Sequence, residues 1–557
     1  MTHKPSRLST TRRGRESGVL VVCGLHAYNR GQPQPATANL MHRKKLPIGI
    51  QTFAKIREDD YYYVDKTALA LRLIDEGTHY FLSRPRRFGK SLFIDTLAEL
   101  FEGNEALFRG LYCHDRWDWS VRSPVIRISF AEGLLQERAE LEERIDFVLA
   151  HNAERLGLGV LPSGSIHNRF STLIERAERA FGQRVVILAD EYDKPILDNL
   201  TRPDIASQMR DGLRDLYSVI KGQDAHIKFA MLTGVSKFSK VSLFSGLNNL
   251  KDITVDKRFS SICGYTDADV DTVFAPELAD LDREQIRRWY NGYNWTGESV
   301  YNPFDLLLLF DSREFRPYWF ETGTPTFLID VLTERRTFLP DLERLQATEA
   351  LLSAFEVGDI ATEALLFQTG YLTIDSVQRI GVMPRYRLRY PNLEVRASLT
   401  DALLRRLSPE PGPVLDRSGR LYELLLANDF AGMERLFTAF FASIPHDWFR
   451  NNPIAQYEGY YASVFYAYFA SLGLDIVPEE SSNAGRLDMA VRLNGQVYLF
   501  EFKVVELEPD GGALEQIKAR GYADRYRGSG EPVHMIGVEF SRERRSVVGF
   551  EIATSPA

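Results

Sequence analysis

The segment from Arg84 to Ser91, which reads RPRRFGKS, limits the possible folds of this chain more than any other feature. Residues 78–83 before it form a short run of β-forming residues, and the segment SLFIDTLAELF after it has helical apolar spacing. A strand, a loop ending in Gly-Lys-Ser and a helix make up the phosphate-binding unit with the pattern GxxxxGK[ST]. Arg84 replaces the first glycine of that pattern, and every other fixed position matches. We therefore predict an ATP site here.

The residue types of this loop suit a nucleotide and Mg²⁺. Gly89 lets the backbone approach the phosphates, Lys90 can reach the β and γ oxygens, and Ser91 can ligate Mg²⁺ at a helix N-terminus. We assign Arg86 and Arg87, which lie in the same loop, to the same nucleotide site.

Residues 185–191 supply the second half of such a site, because this apolar strand ends in two carboxylates. Asp190 would hold Mg²⁺ through water, and Glu191 would orient or deprotonate the attacking water. The alternative is an exposed strand end that caps the next helix. Thr233 ends another apolar strand and is a candidate sensor of the γ-phosphate, although a hydrogen-bonded turn threonine fits its position equally well.

The order of strands and helices predicts an α/β fold. Apolar strands at residues 78–83, 124–130, 184–189 and 227–233 alternate with helical stretches, which is typical of a doubly wound parallel sheet. The pattern then becomes mainly helical, and the C-terminal segment has an αββαβ order with Asn494-Gly495 as a hairpin turn. We divide the chain into residues 1–45, a disordered basic tail or an over-extended start, 46–265, a P-loop domain, 266–445, a mainly helical region, and 446–557, the αββαβ domain.

The charge of the chain limits how it can bind nucleic acid, and its cysteine content indicates the redox state of its cellular compartment. With 76 acidic and 68 basic residues the formal charge is −8, so any nucleic-acid binding must use a local basic surface. The three cysteines are far apart in the sequence, which indicates a reducing, cytoplasmic setting. No apolar run approaches the ~20 residues that span a bilayer, so no membrane association is expected. A homo-oligomer is possible.

Three residues of the C-terminal segment suggest a metal-dependent site. Glu501 and Lys503 are two positions apart on one strand, so both point to the same face. The hairpin would bring Asp488 onto that face, which gives two oxygen ligands for Mg²⁺ beside one ammonium group. Mg²⁺ there would activate water against a phosphodiester, with Lys503 positioning the nucleophile. A surface Glu-Lys pair is the alternative.

Motifs throughout the chain from Leu46 onward resemble the AAA-ATPase-like proteins of bacteria. They include KLPIGIQTFAKIREDDYYYVDKT, RPRRFGKSL, LADEYDKP, LFSGLNNLKDIT, CGYTDADV, WYNGYNW, VYNPFD, YWFETGTPTFLI and LLFQTGYLTI. In that family the ATPase-like module is commonly followed by a restriction-endonuclease-like domain of the PD-(D/E)xK nuclease superfamily. The resemblance implies that Glu458 is an additional acidic metal ligand and that Gln516 is the polar residue on the helix after the core strands. Lys518 lies near Gln516 and is a candidate phosphate contact.

Together these features predict an ATPase coupled to a Mg²⁺-dependent nuclease. Its substrate would be nucleic acid, DNA rather than RNA. The alternative is an ATPase switch or scaffold whose nuclease-like domain only binds nucleic acid or a partner, since a fold does not guarantee an activity.

Overall fold

The computed structural model describes residues 43–237, 249–321, 326–335, 337, 339–343, 345–352, 360–407, 412–442, 458–482, 485–526, 530–544 and 546–556. Most of the predicted N-terminal tail, residues 1–42, lies outside the described residues.

The first region contains the helices and strands of an α/β unit. Its helices are α1 (Phe53–Glu58), α2 (Thr67–Glu76), α3 (Lys90–Phe101), α4 (Arg138–Arg155), α5 (Ile166–Phe181), α6 (Lys194–Leu197) and α7 (Pro203–Gly222). Its strands are β1 (His79–Ser83), β2 (Val125–Ser129), β3 (Val185–Asp190), β4 (Ile227–Gly234) and β5 (Lys251–Asp252).

These five strands form one parallel sheet in the order β2-β3-β4-β1-β5. Every residue of β1 and β3 is buried, as expected for apolar strands covered on both faces. The parallel α/β sheet predicted from the sequence is confirmed. Because β4 lies between β1 and β3, the carboxyl ends of these three strands meet at one edge of the sheet. The phosphate loop, Asp190 and Thr233 are brought together there.

The middle region combines helices with a small sheet. Its helices are α8 (Asp267–Val273), α9 (Arg283–Tyr290), α10 (Pro303–Ser312), α11 (Tyr318–Glu321), α12 (Thr326–Glu334), α13 (Glu349–Leu352), α14 (Thr362–Thr369), α15 (Leu393–Leu407), α16 (Gly412–Ala427) and α17 (Phe430–Ala442). Strands β6 (Gln346–Thr348), β7 (Thr373–Ile380) and β8 (Met383–Arg389) form an antiparallel sheet in the order β6-β8-β7. The region is mainly helical as predicted, but the sequence reading missed this sheet.

The C-terminal region is a mixed sheet with helices. It contains α18 (Glu458–Ser471), α19 (Gly512–Ala519) and strands β9 (Asp475–Ser482), β10 (Gly485–Leu493), β11 (Gln496–Val505), β12 (Val533–Ser541) and β13 (Ser546–Ser555). The strand order is β13-β12-β11-β10-β9, with only β11 and β12 parallel among these pairs.

The predicted αββαβ order is present as α18, β10, β11, α19 and β12, and two edge strands extend it. The two edge strands were not predicted. Strand β9 contains a proline and two glutamates and β13 contains a glycine, and an edge strand tolerates such residues because it pairs on one side only. The sequence pattern predicts a helix over residues 512–526 after the hairpin, but α19 ends earlier, at Ala519. Gly521 then has a φ of 58°, and a 3₁₀ turn covers Tyr522–Tyr526.

The hairpin between β10 and β11 forms at the predicted turn. Leu493 pairs with Gln496, and Asn494 and Gly495 between them have φ values of 50° and 70°. Two consecutive positive φ angles define the turn type that Asn-Gly favours. The register of the whole hairpin follows from this turn.

A continuous apolar core links the three regions. It runs from the parallel sheet through the middle helices to one face of the C-terminal sheet, where Phe465 of α18 lies 5.0 Å from Phe502 between ring centroids. Helix α15 packs along α18. On the other face of that sheet, Leu514 and Ile517 of α19 pack against β11. None of the described helices is long and apolar enough to cross a membrane.

Candidate functional site

The phosphate loop connects β1 to α3 and opens toward a cavity. Gly89, at the N-cap of α3, has a φ of 89°, and a side chain added there would meet no atom within 4 Å. Arg87 also has a positive φ, 70°. The side chain of Lys90 is buried, and its ammonium donates to the carbonyl oxygens of Arg84 at 2.9 Å and Pro85 at 3.0 Å. The ammonium is thus held at the base of the loop.

The electrostatics of Lys90 favour an anion in this loop. Burial lowers the pKa of the Lys90 ammonium, and the Asp190 carboxylate is the largest influence that opposes the shift. Backbone N–H groups at the start of α3, a helix of 12 residues, add positive potential in the same place. This set of donors fits the phosphates of a nucleotide.

Arg84, the residue that replaces the first glycine of the pattern, is fully buried and does not face the cavity. Its guanidinium donates to the carbonyl oxygens of Ser83 and Thr254, both at 2.8 Å, and of Phe259 at 3.2 Å. It also lies 4.0 Å from the ring centroid of Trp295. The φ of Arg84 is not positive, so glycine is not required at this position.

Asp190 and Thr233 contact each other at the ends of β3 and β4. The hydroxyl of Thr233 donates to Asp190 Oδ1 at 2.7 Å, and the backbone N–H of Glu191 donates to the same oxygen at 3.0 Å. Thr233 is completely buried and does not line the cavity. Its hydroxyl therefore orients the carboxylate of Asp190. A direct contact between Thr233 and a nucleotide stays a prediction.

Glu191 does line the cavity, and its backbone has a φ of 49°. Burial raises the pKa of the Glu191 carboxyl, and the negative charge of Asp190 raises it further. A carboxyl whose pKa is raised in this way is suited to accept a proton. Asp190 and Glu191 therefore both lie near Lys90, and Glu191 but not Asp190 lines the cavity.

Asp193 is a buried residue of this edge that sequence reasoning did not assign. Its carboxylate accepts hydrogen bonds from the backbone N–H of Ser236 at 2.6 Å, from the Ser236 hydroxyl at 2.5 Å and from the N–H of Val235 at 3.1 Å. It fixes the turn that follows β4. The motif LADEYDKP contained this residue, but nothing in the sequence indicated which atoms it would hold.

The cavity has a volume of about 770 Å³, which is within the usual size range of small-molecule sites. Ser91 and Arg86 of the phosphate loop line it together with Glu191. The opposite wall comes from the middle region. It includes Phe304, Leu307, Trp319 and Tyr371. The sequence reading found no chemistry in that region, yet it encloses the predicted nucleotide site.

Arg86 and Arg87 are exposed at the cavity. The guanidinium carbon of Arg87 lies 4.7 Å from the ring centroid of Phe304 in the first turn of α10. The next residue, Asp305, is fully buried beside Glu394. Burial raises the pKa of Asp305 to about 8, although its interaction with Glu394 and the charge of Arg87 oppose the shift. A buried carboxyl with a raised pKa therefore lies close to Arg87 of the phosphate loop.

The second candidate site is on the β10–β11 hairpin. Ala490 pairs with Leu499, and Asp488 and Glu501 each lie two positions farther along β10 and β11, so each lies on the same face of its strand as these paired residues. Opposite residues of an antiparallel pair share a face, and Lys503, two positions beyond Glu501, lies on it too. The hairpin therefore places Asp488, Glu501 and Lys503 on one face, as predicted from the spacing.

Hydrogen bonds orient both carboxylates. Asp488 Oδ2 accepts the backbone N–H of Phe502 at 2.8 Å. Glu501 is buried, and its Oε1 accepts a hydrogen bond from the side-chain amide of Gln516 on α19. Gln516 thus reaches the carboxylate from the helix that was predicted to carry it. Lys518 is exposed and forms an ion pair with Glu515 at 3.0 Å.

Comparison with known proteins identifies the family to which this chain belongs. A family model described as a predicted AAA-ATPase matches residues 47–244, and a model of the PD-(D/E)XK nuclease superfamily matches residues 456–550. A protein of Azotobacter chroococcum mcd 1, described as an uncharacterized protein in vnfD 5'region, is 71% identical over 513 residues, which is 92% of this chain and 99% of that protein. The chain belongs to the AAA-ATPase-like family with a C-terminal PD-(D/E)XK nuclease superfamily domain. No solved structure matches it.

The AAA-ATPase-like part contains the phosphate loop and both Asp190 and Glu191, and the nuclease superfamily part contains Asp488, Glu501 and Lys503. These families generally use a nucleotide and a divalent metal, and the donor sets fit both, since the second site offers hard carboxylate oxygens. Among the described residues no group of three or more His, Cys, Asp or Glu side chains is arranged to hold a metal ion. Glu458, the third carboxylate implied by the resemblance, begins α18, but its side chain lies outside the described residues.

A further buried carboxylate of the nuclease superfamily domain was missed. Glu539 on β12 lies beside Lys503 on β11, and it accepts backbone N–H groups of Asp510 at 2.8 Å, Gly511 at 3.2 Å and Ala513 at 3.1 Å. It holds the loop that starts α19. No sequence spacing points to it, because its partners are backbone groups of a segment far along the chain.

Proposed function

We propose that this protein binds and hydrolyses ATP and that its nucleotide state controls a metal-dependent nuclease in the C-terminal region. The observation that carries the nuclease half is the shared face of Asp488, Glu501 and Lys503, with Gln516 hydrogen-bonded to Glu501. The proposed domains are residues 46–265 for ATP, 266–445 as the connecting region and 446–557 for cleavage. DNA is the proposed substrate.

At the nucleotide site each residue has a distinct role. Lys90 and the loop N–H groups bind the β and γ phosphates, and Arg86 and Arg87 add positive charge at the cavity mouth. Ser91 and Asp190 would hold Mg²⁺, and Thr233 orients Asp190. Glu191 orients the attacking water and accepts its proton, a role that its raised pKa supports.

At the second site Asp488 and Glu501, with Glu458 as a further ligand, would hold the metal. When bound, Mg²⁺ polarises the scissile phosphate and lowers the pKa of a water. Gln516 fixes the orientation of Glu501 through its amide. Lys503 positions the nucleophile and stabilises developing negative charge. Lys518, exposed on α19, contacts a phosphate of the nucleic acid.

One observation favours a second candidate, an ATPase switch or scaffold that binds nucleic acid or a partner without cleaving it. Both Asp488 and Glu501 accept hydrogen bonds from other groups of the domain. Carboxylates used in this way also serve a purely structural role. Cleavage experiments separate the two candidates.

The decisive experiment incubates the full-length protein with supercoiled plasmid, linear duplex DNA or RNA, in Mg²⁺ or EDTA, with and without ATP. We expect Mg²⁺-dependent cleavage that falls about 100-fold or more in Asp488→Asn, Glu501→Gln and Lys503→Ala while ATP affinity is unchanged. Glu508→Gln is the matched control, because Glu508 is exposed in the same domain and pairs with Arg544. If the wild type cleaves nothing under any condition, the switch or scaffold is correct; if the variants cleave like the wild type, the assigned residues are wrong.

A further inference from the structure

The β7–β8 hairpin of the middle region presents a basic face. Arg385, Arg387 and Arg389 alternate along β8 with Tyr386 and Leu388, which are buried. The three arginines therefore lie on the face opposite the core. They are spaced by two residues, about 7 Å per step along a strand.

The cross-strand partners of Arg385 and Arg387 are uncharged. Arg387 pairs across the sheet with Gln346 and Ser376, and Arg385 pairs with Thr348 and Gln378. Between residues 373 and 389 the sequence contains four arginines and a single carboxylate, Asp375. Asp375 lies at the base of the hairpin, 3.2 Å from Arg389 and 3.7 Å from Arg387. Glu349 contacts Tyr386, on the buried face.

The tip of the hairpin is apolar and exposed. Val382 is 91% exposed, Met383 63% and Ile380 57%, and Ile380 pairs with Met383 across the turn. Strand β6 stops beside Arg385, so the tip is a two-stranded ribbon. An apolar tip of this kind is costly in water unless something covers it.

We propose that this hairpin is a docking surface for duplex DNA, with the arginines on backbone phosphates and the apolar tip inside a groove. The row of arginines is complementary in charge to a polyanion, although the whole chain is acidic. A two-stranded ribbon fits the major groove of B-form DNA, whereas the major groove of A-form RNA is too deep and narrow for it. The proposal deepens the proposed function, on which it rests for the class of partner, because it names the surface that recruits the substrate.

The test measures binding by fluorescence anisotropy of a labelled 25-base-pair duplex in EDTA, over a range of KCl concentrations. Full-length Arg385→Gln/Arg387→Gln/Arg389→Gln should bind at least tenfold more weakly than the wild type. Its slope of log K against log[KCl] should fall by up to about 2.7, because each lost phosphate contact removes about 0.9. Arg385→Gln alone should decrease the slope by about one third as much, about 0.9. This single variant keeps the test valid if the triple variant fails to fold.

Two controls define the alternatives. Arg405→Gln/Arg406→Gln/Arg420→Gln changes the net charge equally on α15 and α16 and should bind like the wild type. Val382→Ser/Met383→Ser should weaken binding without changing the salt slope. An equal loss of DNA affinity in both arginine triple variants would overturn the proposal, because binding would then depend on net charge alone. Unchanged DNA affinity in the hairpin triple variant would also overturn it and would indicate a protein partner for this surface. Equal affinity for duplex RNA would overturn the choice of DNA.

EDTA separates this proposal from the cleavage proposal. If DNA binding depends on the hairpin arginines but the protein cleaves no DNA in Mg²⁺, the docking surface is supported and the nuclease proposal is refuted. If the protein cleaves DNA but binding does not depend on these arginines, the nuclease proposal is supported and the docking surface is refuted.

Discussion

At the scale of single residues, the buried guanidinium of Arg84 ties the phosphate loop to two other segments. It hydrogen-bonds the carbonyls of Thr254 and Phe259 and lies on the ring of Trp295. At the first position of the loop pattern, an arginine that connects the loop to neighbouring segments thus replaces glycine. Gly89 still leaves open space where the phosphates would approach the backbone. Glycine is needed where φ is positive and space is required, and the first position meets neither condition.

Arg84→Gly, which restores the first glycine of the pattern GxxxxGK[ST], should therefore destabilise the protein. It leaves buried carbonyl oxygens without their donor, and we expect a loss of about 3 kcal/mol or more in the free energy of unfolding. Arg87→Gly is the matched control, because Arg87 is exposed at a φ of 70° and glycine relieves its backbone strain. Urea denaturation measures both. A more stable Arg84→Gly variant would contradict the bracing role.

Lys90→Ala should lower ATP affinity by about 100-fold or more, because it removes the ammonium at the base of the loop. Titration with a fluorescent ATP analogue measures the affinity. Lys44→Ala, at an exposed lysine paired with Asp60, should bind ATP like the wild type. Unchanged affinity in Lys90→Ala would rule out the phosphate-loop assignment.

At the scale of elements, the first turn of α10 places a buried acid next to Phe304, which lines the cavity beside the phosphate loop. Asn302 caps this helix and Pro303 occupies its first turn, which fixes where Asp305 points. Glu394 of α15 lies beside Asp305 and accepts the backbone N–H of Trp319 at 2.8 Å. Phe304 of α10 and Trp319 of α11 line the cavity, and Glu394 of α15 holds the backbone of Trp319 from outside the lining.

This buried acid predicts a pH dependence of stability. The pKa of Asp305 is raised to about 8 in the folded protein, so the folded state keeps a proton that the unfolded chain releases above pH ~4. Stability from this group is present at low pH and is lost as the pH rises through about 8. Asp305→Asn should remove that loss, so its melting temperature should exceed that of the wild type at pH 8.5 by more than at pH 5.5.

The control for this prediction is Asp311→Asn, at an exposed aspartate of the same helix. Its melting temperature should follow that of the wild type at both pH values. A difference between Asp305→Asn and the wild type that does not change with pH would show that Asp305 does not titrate in this range.

At the scale of the whole molecule, the middle region connects both candidate sites. It forms part of the lining of the cavity beside the phosphate loop, and β7 begins two residues after Tyr371, which lines that cavity. Helix α15 packs on α18, and Arg396 of α15 donates to the carbonyl of Leu474 at 2.7 Å. Tyr466 of α18 donates to Glu343 at 2.7 Å. The middle region therefore contacts both the cavity and the nuclease superfamily domain.

A fragment of residues 43–442 should fail as an independent ATPase. Removing α18 exposes the apolar surface of α15 that it covers, and large exposed apolar patches promote aggregation. Size-exclusion chromatography and a thermal melt compare the fragment with residues 43–557. A monodisperse fragment with cooperative melting and wild-type ATP affinity would show that the regions fold independently.

The sequence by itself determined the parallel sheet, the phosphate loop, the two carboxylates at the end of β3 and the hairpin with Asp488 and Glu501. Each depends on local information: apolar runs, a loop pattern next to a strand, an Asn-Gly turn and the two-residue period of a strand. Only the tertiary structure decided the direction of Arg84, the partners of Asp193 and Glu539, the wall of the cavity and the exposed arginine face of β8. Those depend on contacts between segments far apart in the chain, and a side chain's neighbours there are set by packing rather than by its own sequence context.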